Sequence, residues 1–474
     1  MVDLDLKTKM VHSDMPNKSP RLSDKLRISV PSPFRATDLS PASDSACSAY
    51  EQYFRLPELK QLWSYKEFPN WNDESILKPA LQALEITFRF VPTVLSDPRP
   101  YANRREWSRR LESLTTSQVH LIALLCDDGR SGGTVPIVDL SSSGGVIARG
   151  GSSAEVWKLD GETTVVSRSS EASLLPRLAT WQKSEDIARK IQYSIECEMI
   201  RCPYTLGLGE PNLTGKPNLD YDLICKPSEL HSLKKTPSDH INLDNHENQT
   251  LYTTHQIIES WIYVAQQLLG RIGERIDCRD FERASIDCFL LETIWKLLAE
   301  IEDLHLLMDP DDFLRLKNQL AIKASAESES FCFRSRGLVE ITKLSKNLRH
   351  KIPYILNVEV DPKGGPRIQE AAMKLYREKT GFEKIHLLQA LQAIESALKK
   401  FYYSYKQLLV IVMGSLEAKG NQAYVSLDSN DSLSQIFLEP TYYPSLDAAK
   451  TFLGDYWSHE YGEYSTERRT KTQK

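Results

Sequence analysis

Along the C-terminal half of the chain, apolar residues recur three and four positions apart through one long segment after another. LYTTHQIIESWIYVAQQLLGRIGERI, SIDCFLLETIWKLLAEIEDLHLLM, SRGLVEITKLSKNLRHKI, GPRIQEAAMKLYREK and FEKIHLLQALQAIESALKKFYYSYKQLLVIVMGSL all carry this period. It places the apolar side chains of each segment on one face of a helix. Nearer the N-terminus the same period runs through ILKPALQALEITFRFV, REWSRRLESLTTSQVHLIALLC and LATWQKSEDIARKIQYSIECEMIRC. Few stretches alternate in the manner of a strand. The pattern predicts an all-α protein, with a helical region over 46–240 and a larger helical bundle over 241–460.

Three stretches break the period. Residues 1–45 are rich in Ser, Pro, Lys and Asp and hold too little apolar surface to offset the entropy of ordering, which predicts a disordered tail. Within it Ser19, Ser32 and Ser40 each precede a proline, making them candidate phosphosites for proline-directed kinases. Residues 127–173 are rich in Gly and Ser with short β-branched runs such as TVPIV and ETTVV. No phosphate-binding glycine motif occurs there, so the expectation is a disordered insertion between helices. CPYTLGLGEPNLTGKPNLDYD is a long Gly/Pro/Asn loop, a length that marks either function or disorder. Residues 461–474 are a short tail.

Composition narrows the class. The 474 residues are 41% hydrophobic and 26% charged, with a formal net charge of −5 at pH 7. That is an ordinary globular balance with no broad basic field, so a nucleic-acid partner is not expected. Eight cysteines lie scattered without a CxxC pair, the usage of a reducing compartment. The opening MVDLDLKTKMVHSDMP has no apolar secretory core, and no run reaches the roughly 18 apolar residues of a membrane span. The expected address is the cytoplasm, with the nucleus left open. GxSxG, P-loop and HExxH motifs are all missing, and neither a metal nor a cofactor is expected from the residues themselves.

Three segments resemble helices of the haem-dependent tryptophan 2,3-dioxygenase family: HENQTLYTTHQIIESWIYVAQQLL, the stretch from Leu297 to Lys343, and the stretch from Gly365 to Ser415. The resemblance covers about 240–415 and implies a dioxygenase-like helical core. It places His255 at the position of the distal histidine, Glu259 and Trp261 at the pair that follows, and Phe313 at the pocket aromatic. Lys317 stands where that family has an arginine that clamps a carboxylate, and a lysine offers only a point charge on a flexible stem. Tyr405 stands where that family has the iron-binding histidine, and its phenol must lose a proton to take that role. His255, Glu259, Phe313, Lys317 and Tyr405 are thus expected to line a vestigial pocket, with no catalytic residue among them.

A second resemblance spans about residue 25 to His459. LPELKQLW, ILKPALQALEI, REWSRRL, YTLGLGEPNLTGKPNLDYD, LLAEIEDLHLLMDPDDF, DPKGGPRIQEAAMKLY and FLEPTYYPSLDAAKTFLGDYWSH are similar to blocks of the plant nematode-resistance-protein-like HSPRO family. It implies a non-enzymatic plant defence and stress-signalling protein that promotes basal resistance. It also implies contact with a βγ-type regulatory subunit of the SNF1-related kinase complex. The alternative carried by the first resemblance is a haem-binding sensor or dioxygenase-like oxidoreductase, with Tyr405 at the iron.

Overall fold

The computed structural model describes residues 48, 50–99, 103–126, 136, 155–158, 164–167, 169–212, 216–234, 247–323, 335–359, 367–379, 381–413 and 436–454; for 155–158, 164–167 and 317–323 it describes the backbone alone. The predicted tail with Ser19, Ser32 and Ser40 lies outside the described residues.

The architecture is all-α, as the period predicts. Its helices are α1 (Leu56–Ser64), α2 (Glu74–Leu95), α3 (Arg104–Cys126), α4 (Leu174–Leu178), α5 (Glu185–Glu198), α6 (Tyr221–Cys225) and α7 (Pro227–Ser232). They continue with α8 (Glu247–Asp277), α9 (Phe281–Glu302), α10 (Pro310–Lys323), α11 (Arg336–Asn347), α12 (Ile352–Leu356), α13 (Arg367–Glu378) and α14 (Phe382–Met413). Among the described residues no helix is long and apolar enough to cross a membrane.

The centre of the fold is α8. Every residue from Thr250 to Ile262 is buried, the condition of a helix wrapped on all sides. Helix α2 covers one face, α9 another and α11 a third. Polar residues on α8 are therefore answered locally. Thr254 Oγ1 donates to the Thr250 carbonyl at 2.7 Å, Ser260 Oγ to the Gln256 carbonyl at 2.8 Å, and Gln256 Nε2 to the Phe54 carbonyl at 3.1 Å. Trp261 donates its indole N–H to Gln118 Oε1 at 3.0 Å, which makes it a core residue with a satisfied polar edge.

This wrapping joins helices from both sides of residue 240. The described residues all belong to one compact unit, Ala42–Lys474. Helix α2 is itself buried along most of its length, so α2 and α8 need each other to remove their apolar faces from water. On the far side, α14 runs in the same direction as α9. Lys384 lies over the Phe281 ring, and further along Trp295 meets Phe401 and Tyr402 at ring-centre distances of 5.4 and 6.3 Å.

The expected insertion 127–173 is also narrower than the composition predicts. Glu155–Lys158 and Thr164–Ser167 pair as two antiparallel strands. Ser169 to Ser173 belong to the fold: Ser170 N donates to the Gly207 carbonyl at 3.0 Å, and Ser173 Oγ donates to Glu85 Oε2 at 2.7 Å. Glu85, fully buried on α2, also accepts from Leu174 N at 2.8 Å and Tyr221 OH at 3.0 Å and meets His231 Nε2 at 2.8 Å. A buried carboxylate with several partners holds the start of α4 in place, a tie that composition does not reveal.

The described part of the Gly/Pro/Asn loop is built round another carboxylate. Glu210 accepts from Gly207 N at 2.8 Å, Leu208 N at 2.6 Å and the Thr205 hydroxyl. Gly207 sits at φ +74°, and a Cβ there would meet Asn218 Cβ at 3.1 Å, so both the backbone and the space ask for glycine.

Candidate functional site

His255 and Glu259, one turn apart on α8, share a face and meet Tyr50 from the helical turn ahead of α1. Tyr50 OH donates to Glu259 Oε1 at 2.8 Å and lies 3.1 Å from His255 Nδ1. Since the phenol has a single hydrogen, it accepts from His255 Nδ1–H, and this leaves Nε2 as the lone-pair nitrogen. Glu259 takes a further hydrogen bond from Ser335, the N-cap of α11, whose Oγ also accepts from Leu338 N at 3.0 Å.

His255 is next to a second buried histidine. The ring centre of His305, in the short 3-10 turn Asp303–Leu307, lies 5.6 Å from that of His255 with the planes 28° apart. His305 Nδ1 donates to Glu302 Oε2 at 2.9 Å. Phe54 lies 4.6 Å from His255 on the near side of this row, and Phe313 of α10 lies 6.4 Å from His305 at the other end. The row Phe54, His255, His305, Phe313 therefore joins two of the predicted residues through one the period did not single out.

Both imidazoles are sealed, His255 at 1% and His305 at 2% exposure, and among the described residues neither Nε2 has a hydrogen-bond partner. Burial, with His305 close by, holds His255 well below the usual histidine range, while burial pushes the Glu259 carboxyl up despite its hydrogen bonds from Ser335 and Tyr50. Chemically the site offers the buried imidazole of His255 as a hydrogen-bond acceptor beside the Glu302–His305 pair, in an apolar surround. It can accept hydrogen bonds from a small donor such as a buried water, and it stores a protonation difference between the folded and unfolded chain. Among the described residues no group of three or more His, Cys, Asp or Glu stands close enough to hold a metal ion.

Close packing of α11 completes this site. A Cβ on Gly337 would lie 2.7 Å from Ile262 Cγ2 and 3.4 Å from Glu259 Oε2. Gly337→Val is therefore expected to push α11 off α8 and lower the unfolding free energy by about 1–3 kcal/mol. Urea denaturation with an unchanged m-value checks it; a variant as stable as the parent would show that α11 can shift without loss.

Tyr405 is 3% exposed on α14 with its ring near-parallel to that of Phe401 at 6.3 Å. Lys317 is on α10 one turn past Phe313, and its side chain lies outside the described residues. The haem implied by the dioxygenase resemblance does not fit the residues as they stand. Tyr50, Phe54 and His305 pack round His255 with ring centres 4.6–5.7 Å away, where a macrocycle would need a slot, and Tyr405 is inside apolar packing.

Tyr50, Glu302, His305 and Ser335 are the site residues that sequence patterns did not single out. The one available signal was Glu302-x-x-His305, a carboxylate and an imidazole at helical spacing. Tyr50 carried none, since its partners lie some two hundred positions away along the chain.

A second feature is on the surface. A groove of about 480 Å³ runs between α3 and α5, lined by Glu112, Thr116, Arg189, Tyr193, Ser194 and Cys197 among others. Lys190 to Glu112 at 3.0 Å and His120 to Glu198 at 2.7 Å tie its two walls. Tyr193 is 65% and Ile200 66% exposed, an unusual placement for such side chains beside a groove.

The comparisons with known proteins cover almost all of this frame. The family described as Hs1pro-1 N-terminus matches residues 1–196, and that described as Hs1pro-1 protein C-terminus matches 199–459. Nematode resistance protein-like HSPRO2 of Arabidopsis thaliana is 57% identical over 464 residues, 97% of this chain and 100% of that protein. Nematode resistance protein-like HSPRO1 of the same plant is 54% identical over 463 residues, again 97% and 100%. No solved structure matches. With both halves of the fold matched in order and two relatives aligned end to end, the chain belongs to the Hs1pro-1 family of nematode resistance protein-like proteins.

Proposed function

We propose that this chain is a non-enzymatic plant defence and stress-signalling protein that promotes basal resistance to pathogens through protein contacts in the cytoplasm. Its proposed partner is the βγ-type regulatory subunit of an energy-sensing, SNF1-related kinase complex. The observation that carries the defence reading is the end-to-end identity with two nematode resistance protein-like relatives. Two features of the molecule favour contacts over catalysis. The titratable cluster at His255 is closed to solvent, so a substrate has no direct approach to it. The groove between α3 and α5, by contrast, presents Tyr193 and Ile200 outward beside ion-paired walls, the mixture of aromatic anchor and polar rim that protein interfaces use.

The test is calorimetric titration of the purified full chain with the βγ-type subunit, repeated with a Tyr193→Ala/Ile200→Asp variant. Saturable binding that weakens at least about tenfold in the variant is expected, since truncating an aromatic anchor typically costs more than 1 kcal/mol. No heat with the parent chain would remove this partner. Equal affinities would move the contact off the groove.

A further inference from the structure

Helix α9 is held from three directions. Asp287 turns to Arg271 and Arg275 of α8, Trp295 packs on Phe401 and Tyr402 of α14, and Glu300 accepts from Ser113 of α3 at 2.8 Å. Another face points outward. Glu282, Ile286, Phe289, Thr293 and Lys296 recur at alternating intervals of four and three, which aligns them in one stripe along the helix. Ile286 and Phe289, in the middle of it, are 47% and 46% exposed. Glu282 is exposed at one end, and at the other Lys296 pairs along its own helix with Glu292 at 2.6 Å and keeps 58% of its side chain in solvent. Thr293 Oγ1 donates back to the Phe289 carbonyl at 2.9 Å, so its hydroxyl is satisfied within the helix.

Single exposed apolar residues are ordinary on a protein surface, and it is the charged flanks that distinguish this pair. The stripe is complementary to its own reverse. In an antiparallel second copy centred on Phe289, Phe289 meets Phe289, Ile286 meets Thr293, and Glu282 meets Lys296 at both ends. Other pairings set like charges together. A parallel copy places Glu282 on Glu282 and Lys296 on Lys296, and an antiparallel copy slid by three residues, so that Ile286 meets Phe289, brings Lys296 toward Arg279.

We propose that this face of α9 is a self-association surface on which a second copy of the chain docks antiparallel, with Phe289 on the two-fold axis. Such a contact uses the same patch on both copies and closes as a dimer. The apolar centre supplies the attraction, and the charges select the register. Exposed ion pairs contribute at most about 1 kcal/mol each, whereas like charges set opposite each other penalise the wrong registers. A single stripe per copy falls well short of the roughly 20–30 residues a side of a standard interface, so the expected dimer is weak. It rests on α9 alone, independent of the groove and its proposed partner.

The experiment is sedimentation equilibrium of the full chain at concentrations up to about 100 μM, a range that populates weak dimers. A concentration-dependent dimer is expected. Phe289→Glu should weaken it at least about tenfold, with a urea midpoint equal to the parent's because the side chain is half exposed. Glu282→Lys and Lys296→Glu should each weaken it by placing like charges opposite, and the two combined in one chain should recover it. A monomer throughout, or a double variant that associates no better than the single ones, would overturn the proposal.

Cross-linking locates the axis. Cys47, Cys197, Cys278 and Cys332 are replaced by serine, leaving the buried Cys126, Cys202, Cys225 and Cys288, and either Phe289→Cys or Ile286→Cys is added before oxidation with copper phenanthroline. On the axis, the thiol of Phe289→Cys faces its own counterpart. That of Ile286→Cys is offset from its counterpart by six residues, about 9 Å along the helix, beyond the ~7 Å that a disulfide spans. A dimer reversible by dithiothreitol is therefore expected from Phe289→Cys and not from Ile286→Cys. Equal linking by both, or none by Phe289→Cys, would refute the arrangement.

Discussion

Replacing Asp287 with alanine is expected to lower the unfolding free energy by about 3–5 kcal/mol, the largest loss of any single substitution considered for this chain. Asp287 is fully buried on α9 and accepts from Arg271 Nε at 2.9 Å and Arg275 Nη1 at 2.6 Å, both on α8. Removing the carboxylate takes away the partner that these two guanidiniums, one turn apart on α8, share across the interface with α9. The damage is the uncompensated charge, so Asp287→Asn, which keeps the shape, should recover only part of the loss. Arg315→Ala is the control: its partner Asp311 is as exposed as it is, at 69% and 67%, and such pairs contribute between zero and about 1 kcal/mol. Urea denaturation of the three variants decides the matter, and similar losses for Asp287→Ala and Arg315→Ala would sink the account.

The second large effect is with pH. His255 is held below its unfolded value by burial and by His305. As pH falls through about 6.5, the unfolded chain gains a proton there that the folded chain refuses, so stability drops. The contribution is complete above that pH and is lost progressively below it, at up to about 1.4 kcal/mol per pH unit for a single proton. Glu259 works in the opposite direction, because its raised folded value lets the folded chain take up a proton first as pH falls. Tyr50 and Glu302 hydrogen-bond within the cluster, and Lys60 and Glu51 act on Glu259 from further off. Subtracting the stability profile of His255→Gln from that of the parent isolates the histidine. The difference should slope upward with pH below about 6.5; a flat difference would mean that His255 charges freely in the folded protein.

Residues such as Leu251, Ile258 and Leu268 announce α8 in the sequence because an apolar stripe of helical period has to face a core. What they do not announce is that α8 is covered from every side, since Thr254, Ser260 and Gln256 look like a solvated face until their backbone partners are seen. Gly and Ser composition concealed Ser169 to Ser173, where the deciding interaction is a hydrogen bond to Glu85 on a distant helix. The candidate site was legible as far as its helix-borne members, His255, Glu259 and Phe313. His305 was overlooked because a 3-10 turn has no stripe to flag it, and Tyr405 was grouped with His255 by a resemblance to another family, not by any pattern in its own residues. Asp287 was hidden among the other charges of FERASIDCFLLETIW, and its burial acquires meaning only once the two arginines of α8 stand opposite.

The junction of Tyr50 with His255 has a bearing on how the chain is made. A ribosome adding about 5–20 residues per second delivers Tyr50, Phe54 and the apolar flanks of α2 well before it delivers α8. Their cover is therefore roughly 10–30 s late at that pace, and the α9 end bearing His305 is later still. During that interval the nascent N-terminal half presents sticky surface that only its own unfinished sequence can bury. Such a chain should depend on chaperones that hold emerging segments, and its yield from cell-free synthesis should respond to translation speed more than to final stability.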